Sequence, residues 1–291
     1  MKPAPFLYRQ AGSISEAVGL LAEWEGEAKL LAGGQSLMPM MNMRLVRPGC
    51  LVDINGVAGL DDIREDDGQI AVGALTRYST IEWSPTIGAR LPLLAELVRY
   101  VGDRQIRTRG TIGGSLAHAD PTGELPLATL ALDATLRVQG GGGSREISSS
   151  AFFQGPYATV LEGDEMITEV VFPFVPEAVG AFAECTRRHG DFAVMSVAAL
   201  GVPGKGDTWD SVRVALGGVA DTPFAADEAS ALAAGTSLDA EVVQAIGEAC
   251  AGAADPHSDV RASAEYRRHL IPIYVERVLE QLRRRRTGGR G

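Results

Sequence analysis

Two pairs of adjacent glycines constrain this chain more than any other feature. Gly33-Gly34 comes directly after the apolar run Lys29 to Ala32, and Gly113-Gly114 follows Thr111-Ile112. Residues without Cβ tolerate left-handed backbone and let the main chain approach a neighbour closely. Successive amides in such a turn form a nest for anionic oxygens, and Ser36, Thr111 and Ser115 add hydroxyl donors at the rims. Two nests facing each other would hold a diphosphate. The plainer alternative at each site is a tight turn with no ligand. Glycine is abundant here: 35 Gly and 15 Pro among 291 residues make about 17%, against roughly 12% in ordinary usage. The surplus is aperiodic and 45% of residues are hydrophobic, so the glycines punctuate a folded protein and not a collagen or a disordered chain.

Charge narrows the ligand. The net charge is −10, and Arg283, Arg284, Arg285, Arg286 and Arg290 crowd the C-terminus; without these five, 22 basic residues face 37 acidic ones, a net −15. An acidic body repels phosphate backbones, so nucleic-acid binding is not expected, and an anionic ligand must be held by local amide and hydroxyl donors. The arginine tail itself reads as a solvated, frayed helix end. No secretory h-region precedes the fold, and the longest nearly apolar run, Val194 to Val202, is far short of the roughly 18 residues of a membrane span. Cys50, Cys185 and Cys250 are odd in number and far apart, so neither a disulfide framework nor a zinc or iron–sulfur site is expected, and a reducing cytoplasm is the natural setting.

The chain divides near Pro173 and Pro176. Ser13-Ile-Ser-Glu16 is a capping box for a helix over 14–25, followed by strands at 29–32, 51–54 and 69–72. Further helices are expected at 94–101 and 125–132, strands at 134–139 and 166–172, and a flexible hairpin tip at Gly140 to Gly143. Beyond the boundary, three apolar segments at 181–187, 192–202 and 211–219 precede helical patterns at 225–234, 239–252 and 263–286. That order predicts an α+β protein whose second half is a three-stranded sheet covered by helices. The expected units are 1–176, in two subdomains of about 1–55 and 56–176, then 177–286, with a flexible tail at 287–291.

Signature chemistry is absent. There is no G-x-G-x-x-G, Walker A, G-x-S-x-G or H-E-x-x-H pattern, and His118, His189, His257 and His269 are dispersed. His118 and Asp120 read as a loop polar pair in preference to metal ligands. Met38, Met40, Met41 and Met43 read as core filler. Arg104, Arg107 and Arg109 either meet phosphate or bridge carboxylates.

Four motifs taken together, Ala32-Gly-Gly-Gln-Ser36, Thr111-Ile-Gly-Gly-Ser115, Leu116-Ala-His-Ala-Asp-Pro-Thr-Gly-Glu-Leu-Pro126 and Arg187-Arg-His-Gly-Asp-Phe-Ala193, resemble the medium, FAD-binding subunit of the molybdenum hydroxylases, the family of carbon monoxide and xanthine dehydrogenases. The resemblance covers about residues 3–286. It implies a two-part FAD-binding domain of the vanillyl-alcohol-oxidase (PCMH) type followed by a small C-terminal domain. It also implies that Leu30, Leu31, Ala32, Gly33, Gly34, Gln35, Ser36 and Leu37, with Thr111, Ile112, Gly113, Gly114 and Ser115, wrap the diphosphate of a non-covalent FAD. Glu124 is implied near the ribityl or adenosine portion, Leu161 beside the flavin, and Phe192 on one face of the isoalloxazine. Asp120 belongs to the implied cofactor set, unless it only closes the Asp-Pro turn. Two departures stand out: Ser115 replaces a frequent Asn, and Gln35 replaces the His of carbon monoxide dehydrogenases. The strand at 181–186 lacks the Lys that xanthine dehydrogenases carry near the flavin.

The implied role is electron relay, which needs no catalytic acid–base residue in this chain. Electrons arrive from [2Fe–2S] clusters of a small partner subunit, while a large subunit holds the molybdenum cofactor, in a dimer of heterotrimers. A self-contained FAD oxidase of the same fold and a flavin-free scaffold are the alternative readings.

Overall fold

The computed structural model describes residues 2–188 and 190–288. His189 and Arg290 lie outside the described residues. The first lobe is a small parallel sheet with helices. β1 (Leu7–Gln10), α1 (Ile14–Glu23), β2 (Ala28–Leu31), α2 (Leu37–Asn42) and β3 (Cys50–Asp53) follow in order, and the sheet runs β1-β3-β2. Ser13 caps α1 as the capping box predicts: its side chain accepts from Glu16 N at 3.1 Å, and the Glu16 carboxylate accepts from Gly12 N at 2.8 Å. Ala17, Val18 and Leu21 of that helix are buried against Val52 and Ile54.

The second lobe is built on a five-stranded antiparallel sheet. In chain order it contains β4 (Ile63–Asp66), β5 (Gln69–Gly73), α3 (Tyr78–Trp83), α4 (Pro85–Arg90), α5 (Pro92–Leu97), α6 (Arg104–Arg109), α7 (Ile112–His118) and α8 (Glu124–Ala131). β6 (Thr135–Gly140), β7 (Gly143–Ser148), α9 (Ser149–Phe152), the short β8 (Phe153–Gly155) and β9 (Ala158–Thr159), and β10 (Met166–Pro173) complete it. The strand order is β4-β5-β10-β6-β7. Glu169, buried in the central strand β10, is held by guanidinium groups from both neighbouring sides, Arg64 and Arg137, which is how a buried charge becomes tolerable. The sequence expected a flexible tip over Gly140 to Gly143; Gly140 and Gly143 are instead register partners closing β6 onto β7, so the tip is a tight turn.

The C-terminal domain is a meander, β11 (Val179–Cys185), β12 (Met195–Pro203), β13 (Trp209–Gly217) and β14 (Phe224–Ala225), followed by α10 (Asp227–Ala231), α11 (Ala240–Ala253) and α12 (Ala264–Arg286). Four strands therefore replace the three expected, because two residues beyond a turn add an edge strand to β13. The sheet separates two cores. Ala181, Ala183, Val197 and Ala199 face α11 and α12, whereas Phe182 and Ala198 join the core of the second lobe. The period of two thus makes one sheet serve both domains.

The arginine tail corrects the expectation of a solvated helix end. Arg285 pairs with Glu96 at 2.6 Å and donates to Gly180 O, and Arg286 donates to Thr208 O at 2.5 Å while stacking on Trp209. The methionine cluster is only partly core: Met41 is buried, Met43 is exposed. Cys50, Cys185 and Cys250 are free thiols. Among the described residues no helix is long and apolar enough to cross a membrane, and no cluster of His, Cys, Asp and Glu is arranged to hold a metal ion.

Candidate functional site

The two glycine motifs meet. β2 ends at Leu31, and the segment after it crosses the carboxyl edge of the parallel sheet, where ligands of open α/β sheets bind. An ideal Cβ on Gly33 would lie 2.3 Å from the carbonyl oxygen of Arg109, so only glycine lets this segment lie against the approach to the second motif. Gly34 takes φ +71, the left-handed region. The amides of Gly33, Gly34, Gln35 and Ser36 make no hydrogen bond among the described residues. Gln35 instead folds its own side-chain amide back onto Gly33 O at 3.0 Å. Ser36 precedes α2 with no side-chain cap bond, so its hydroxyl remains exposed beside those amides. The adjoining cleft, about 520 Å³, is lined by Leu31 to Gln35 together with Met38, Asp53, Asn55 and Arg109.

The second motif departs from expectation. Gly113 and Gly114 are not a loop; they form the first turn of α7, capped by Thr111, whose Oγ1 accepts from Gly114 N at 3.2 Å. The other amides are equally committed: Ile112 N to Thr76 O, Gly113 N to Ala74 O at 2.9 Å, and Ser115 N to Thr111 O at 3.0 Å. The glycines here serve packing. A Cβ on Gly113 would sit 2.6 Å from Ala74 Cβ, and one on Gly110 would sit 2.3 Å from the Tyr78 ring. A Cβ on Gly114 would press on Thr111 Oγ1 at 2.7 Å, with Ala32 Cβ beyond it at 3.8 Å, across the gap between the motifs.

Residues that the sequence did not single out tie the two motifs together. Arg77 donates to Asn55 Oδ1 at 2.6 Å and to Arg109 O at 2.7 Å, joining the first lobe to the stem of the second motif. Asn55 Nδ2 reaches Ala32 O at 3.0 Å and Asp53 Oδ1 at 2.7 Å. Burial pulls the Asp53 carboxyl upward, but hydrogen bonds from the Tyr8 hydroxyl and from Asn55, with Arg77 nearby, outweigh it and hold the group below its ordinary value. In the sequence, Asn55-Gly56 marks only a turn after the strand. Of the three arginines before the second motif, Arg107 is consumed by Glu82 at 3.0 Å, whereas exposed Arg109 lines the cleft with no ion pair among the described residues.

The remaining expected residues gather around the seam between the second lobe and the C-terminal domain. Asp120 is buried, and its Oδ1 accepts from both the backbone and the hydroxyl of Thr122, at 2.9 and 2.8 Å, so that oxygen serves the turn. Glu124 opens α8; burial and then the charge of Asp120 push it up to about 7, against a backbone hydrogen bond that lowers it. Tyr78, buried against Gly110, bonds to Ser115 and is pushed up to about 12 by burial. His118, half of the expected His118–Asp120 pair, packs on Tyr157 with ring centroids 5.0 Å apart, and burial lowers its pKa. Leu161 is half-buried against the second-lobe core. Phe192 projects from the β11–β12 loop, 55% exposed, under the guanidinium of Arg261 at 4.8 Å.

Such a cleft, with free backbone amides along Gly33 to Gln35 and the Arg109 guanidinium in its lining, suits an anionic ligand. Residues 4–175 match the FAD-binding domain of molybdopterin dehydrogenases, and residues 180–282 match the C-terminal domain of carbon monoxide dehydrogenase flavoproteins. The chain is 40% identical to the 6-hydroxypseudooxynicotine dehydrogenase complex subunit alpha of Paenarthrobacter nicotinovorans, over 96% of this chain and 95% of that one. A chain of the carbon monoxide dehydrogenase of Hydrogenophaga pseudoflava, solved without the Mo-pyranopterin moiety of its cofactor, superposes with a TM-score of 0.95 at 37% identity, covering 97% and 98% of the two chains. Quinoline 2-oxidoreductase from Pseudomonas putida 86 gives 0.93 at 33% identity, with 99% of each chain covered. The fold is therefore the two-domain FAD-binding fold of an oxidoreductase subunit. Within that class, the protein belongs to the FAD-binding medium subunits of the carbon monoxide dehydrogenase and xanthine dehydrogenase family of molybdenum hydroxylases.

Proposed function

We propose that this chain is the flavin relay of a multi-subunit molybdenum hydroxylase. It receives electrons from [2Fe–2S] clusters of a small partner subunit and passes them through FAD to an external acceptor, while a large molybdenum-cofactor subunit oxidises the substrate. The observation that carries this reading is the run of amides from Gly33 to Ser36 with no hydrogen-bond partner among the described residues, in a chain related along its whole length to medium subunits.

FAD, when bound, supplies a carrier that is stable after one or two electrons. The protein supplies position and electrostatics. The segment Leu30 to Leu37 would hold the diphosphate through its backbone and Ser36, with Thr111 Oγ1 and Ser115 Oγ closing the opposite wall. Arg109 would add a cationic group to the cleft lining. Asp120 and Glu124 would border the ribityl portion, and Leu161 and Phe192 would cover the ring system, keeping water from it. The unit boundaries at 176 and 286 would make the seam between 1–176 and 177–286 the ring-binding part. Assembly as a dimer of heterotrimers in a reducing cytoplasm accords with the "medium chain" and "subunit" names of the relatives and with three free thiols.

The test is native mass spectrometry of the chain purified with its partners from its source. A coloured complex containing FAD, molybdenum cofactor and iron–sulfur subunits is the expected result; a colourless monomer that takes up no FAD in any assembly overturns it.

A further inference from the structure

The β11–β12 loop, which carries Phe192, is held from both sides of the seam. On the second-lobe side Gly190, at φ +75, brings its backbone onto Gly102: an ideal Cβ there would lie 3.0 Å from Gly102 O. Gly102 O also accepts from Arg107 at 3.1 Å, and two residues further on α6 begins, whose last residue, Arg109, lines the glycine-motif cleft. The loop is therefore anchored one short helix, roughly 9 Å, from the cleft wall.

On the C-terminal side the anchor is a buried guanidinium. Arg267 of α12, 3% exposed, donates to Val194 O, two residues beyond Phe192, and to Gly218 O at 2.6 Å, and it forms an ion pair with Asp259 Oδ1 at 2.8 Å. The same carboxylate oxygen accepts from the backbone N–H of Arg261 at 2.8 Å and of Ala262 at 3.0 Å, while Asp259 N donates to Ala262 O at 3.0 Å. Polar contacts thus close the segment between α11 and α12 into a turn. Val260 within it is 96% exposed, so apolar packing is not what fixes it. The turn delivers the Arg261 guanidinium onto the Phe192 ring, 4.8 Å from its centroid. An exposed cation–π contact is worth only about 0.5–1 kcal/mol, too little to order this segment alone. The order comes from Arg267, which is buried and needs Asp259 as its counter-charge.

The charges around the ring do not cancel. Arg261 reaches Asp259 Oδ2 at 3.5 Å, so Arg261 and Arg267 share one carboxylate. Asp191, which accepts from Phe192 N at 2.9 Å, faces Arg188 at 3.7 Å. Three guanidiniums against two carboxylates leave one positive charge beside Phe192, in a chain whose net charge is −10. Arg261 takes one face of the ring, and Phe192 is still 55% exposed. A flat ring stacked on Phe192 meets the opposite face, with the cation behind it.

We propose that Asp259 and Arg267 are positioning residues that fix Arg261 behind Phe192, so that the aromatic cover of the flavin carries a positive charge and raises the midpoint potential of the cofactor. The inference rests on the FAD reading above and on Phe192 covering the ring system. Reduction makes the flavin more electron-rich, and a nearby cation stabilises that form over the oxidised one through space. Arg261 needs no contact with the cofactor for this effect; it needs only to be held in place.

The test is the flavin midpoint potential of the assembled holoenzyme, with FAD content measured alongside. Arg261→Met keeps an apolar stem against Phe192 and removes the charge. The expected result is a full complement of FAD, a potential more negative than native, and a gap between the two proteins that narrows as ionic strength rises. Arg261→Lys keeps the charge and should fall between Arg261→Met and native. Asp259→Asn separates position from charge. By charge count alone, losing a carboxylate raises the potential; losing the anchor lets Arg261 leave the ring and lowers it. A lower potential is expected, and a rise overturns the positioning role of Asp259. If Asp259→Asn does not fold because Arg267 has lost its counter-charge, Asp259→Glu displaces the carboxylate at constant charge and must also lower the potential; no change there overturns the positioning role. Equal potentials in native protein and Arg261→Met, both with full FAD, overturn the charged cover and leave the FAD reading standing. A native assembly that binds no FAD removes both.

Discussion

Gly33-Gly34 and Gly113-Gly114 look interchangeable in the sequence and do different work in the structure. The first pair keeps its backbone donors unspent: Gly34 is left-handed, and the amides from Gly33 to Ser36 have no partner among the described residues. The second pair has spent its donors on Ala74 and Thr111, and its missing side chains make room for Ala74. A glycine pair therefore reports that a Cβ is not tolerated, and only the fate of the amides tells whether ligand or protein occupies the space. Gly33 belongs to both kinds, since its Cβ would strike Arg109 O while its own amide stays free.

The contrast breaks most sharply on substitution. Gly34→Val should abolish FAD binding while leaving a folded chain, because a β-branched residue resists φ +71 at a cost of roughly 1–2 kcal/mol or more, and relaxing that strain turns the free amides away. Flavin absorbance after reconstitution, with circular dichroism as the folding control, reads the outcome; a full complement of FAD in a folded Gly34→Val protein would remove the first motif from the site. Gly113→Ala should do the converse. Its Cβ at 2.6 Å from Ala74 over-packs a buried contact, which costs about 1–3 kcal/mol and lowers the melting temperature, with FAD retained by the folded fraction. A stable Gly113→Ala that loses FAD would return the second motif to the role of a ligand-facing nest.

Much of the fold was legible because local signals agreed with the global one. The capping box at Ser13 and the apolar segments over 181–187, 192–202 and 211–219 each name an element that the structure contains. The misses have physical causes. β1 is exposed along its whole length, so no alternation marks it, and β14 is only two residues long. The helix expected over 225–234 contracts to α10, Asp227–Ala231, since Ala-rich composition carries propensity without a packing stripe. Arg77 and Asn55 have no motif around them; their importance arises from being 22 residues apart in sequence and 2.6 Å apart in space. Glu184 was passed over for the same reason: it comes to stand opposite Ser196 only once β11 pairs with β12.

The clamp between the motifs offers the next effect in size. Arg77→Met keeps the apolar stem and removes two charge-assisted hydrogen bonds, to Asn55 and to the Arg109 carbonyl. Bonds to charged groups are worth about 1.5–3 kcal/mol each when a partner is left unsatisfied. The expected result is a FAD dissociation constant raised about tenfold or more together with a lowered melting temperature; titration calorimetry and thermal unfolding read the two. Unchanged affinity would mean that the two motifs hold their spacing without this tie. Thr111→Ala should cost about 1 kcal/mol of stability by uncapping α7. It also frees the Gly114 amide, so any gain in FAD affinity relative to the stability loss would make the second motif resemble the first.

The smallest effect is expected at Phe192, which stands on the β11–β12 loop and not in the first motif. Phe192 is 55% exposed and contacts the Arg261 guanidinium at 4.8 Å, and removing a ring so placed changes stability within about 0.5 kcal/mol. Phe192→Ala should retain FAD, because the diphosphate end supplies the polar donors, yet shift the flavin absorption spectrum and midpoint potential by exposing one face of the ring to water. Leucine at the same position should restore exclusion of water without restoring aromatic stacking. If the potential follows Phe192→Leu toward the native value while the spectrum does not, water exclusion sets the potential and stacking sets the spectrum. An identical spectrum and potential in native protein and Phe192→Ala would detach this residue from the flavin ring and confine the cofactor's contacts to the glycine-motif end.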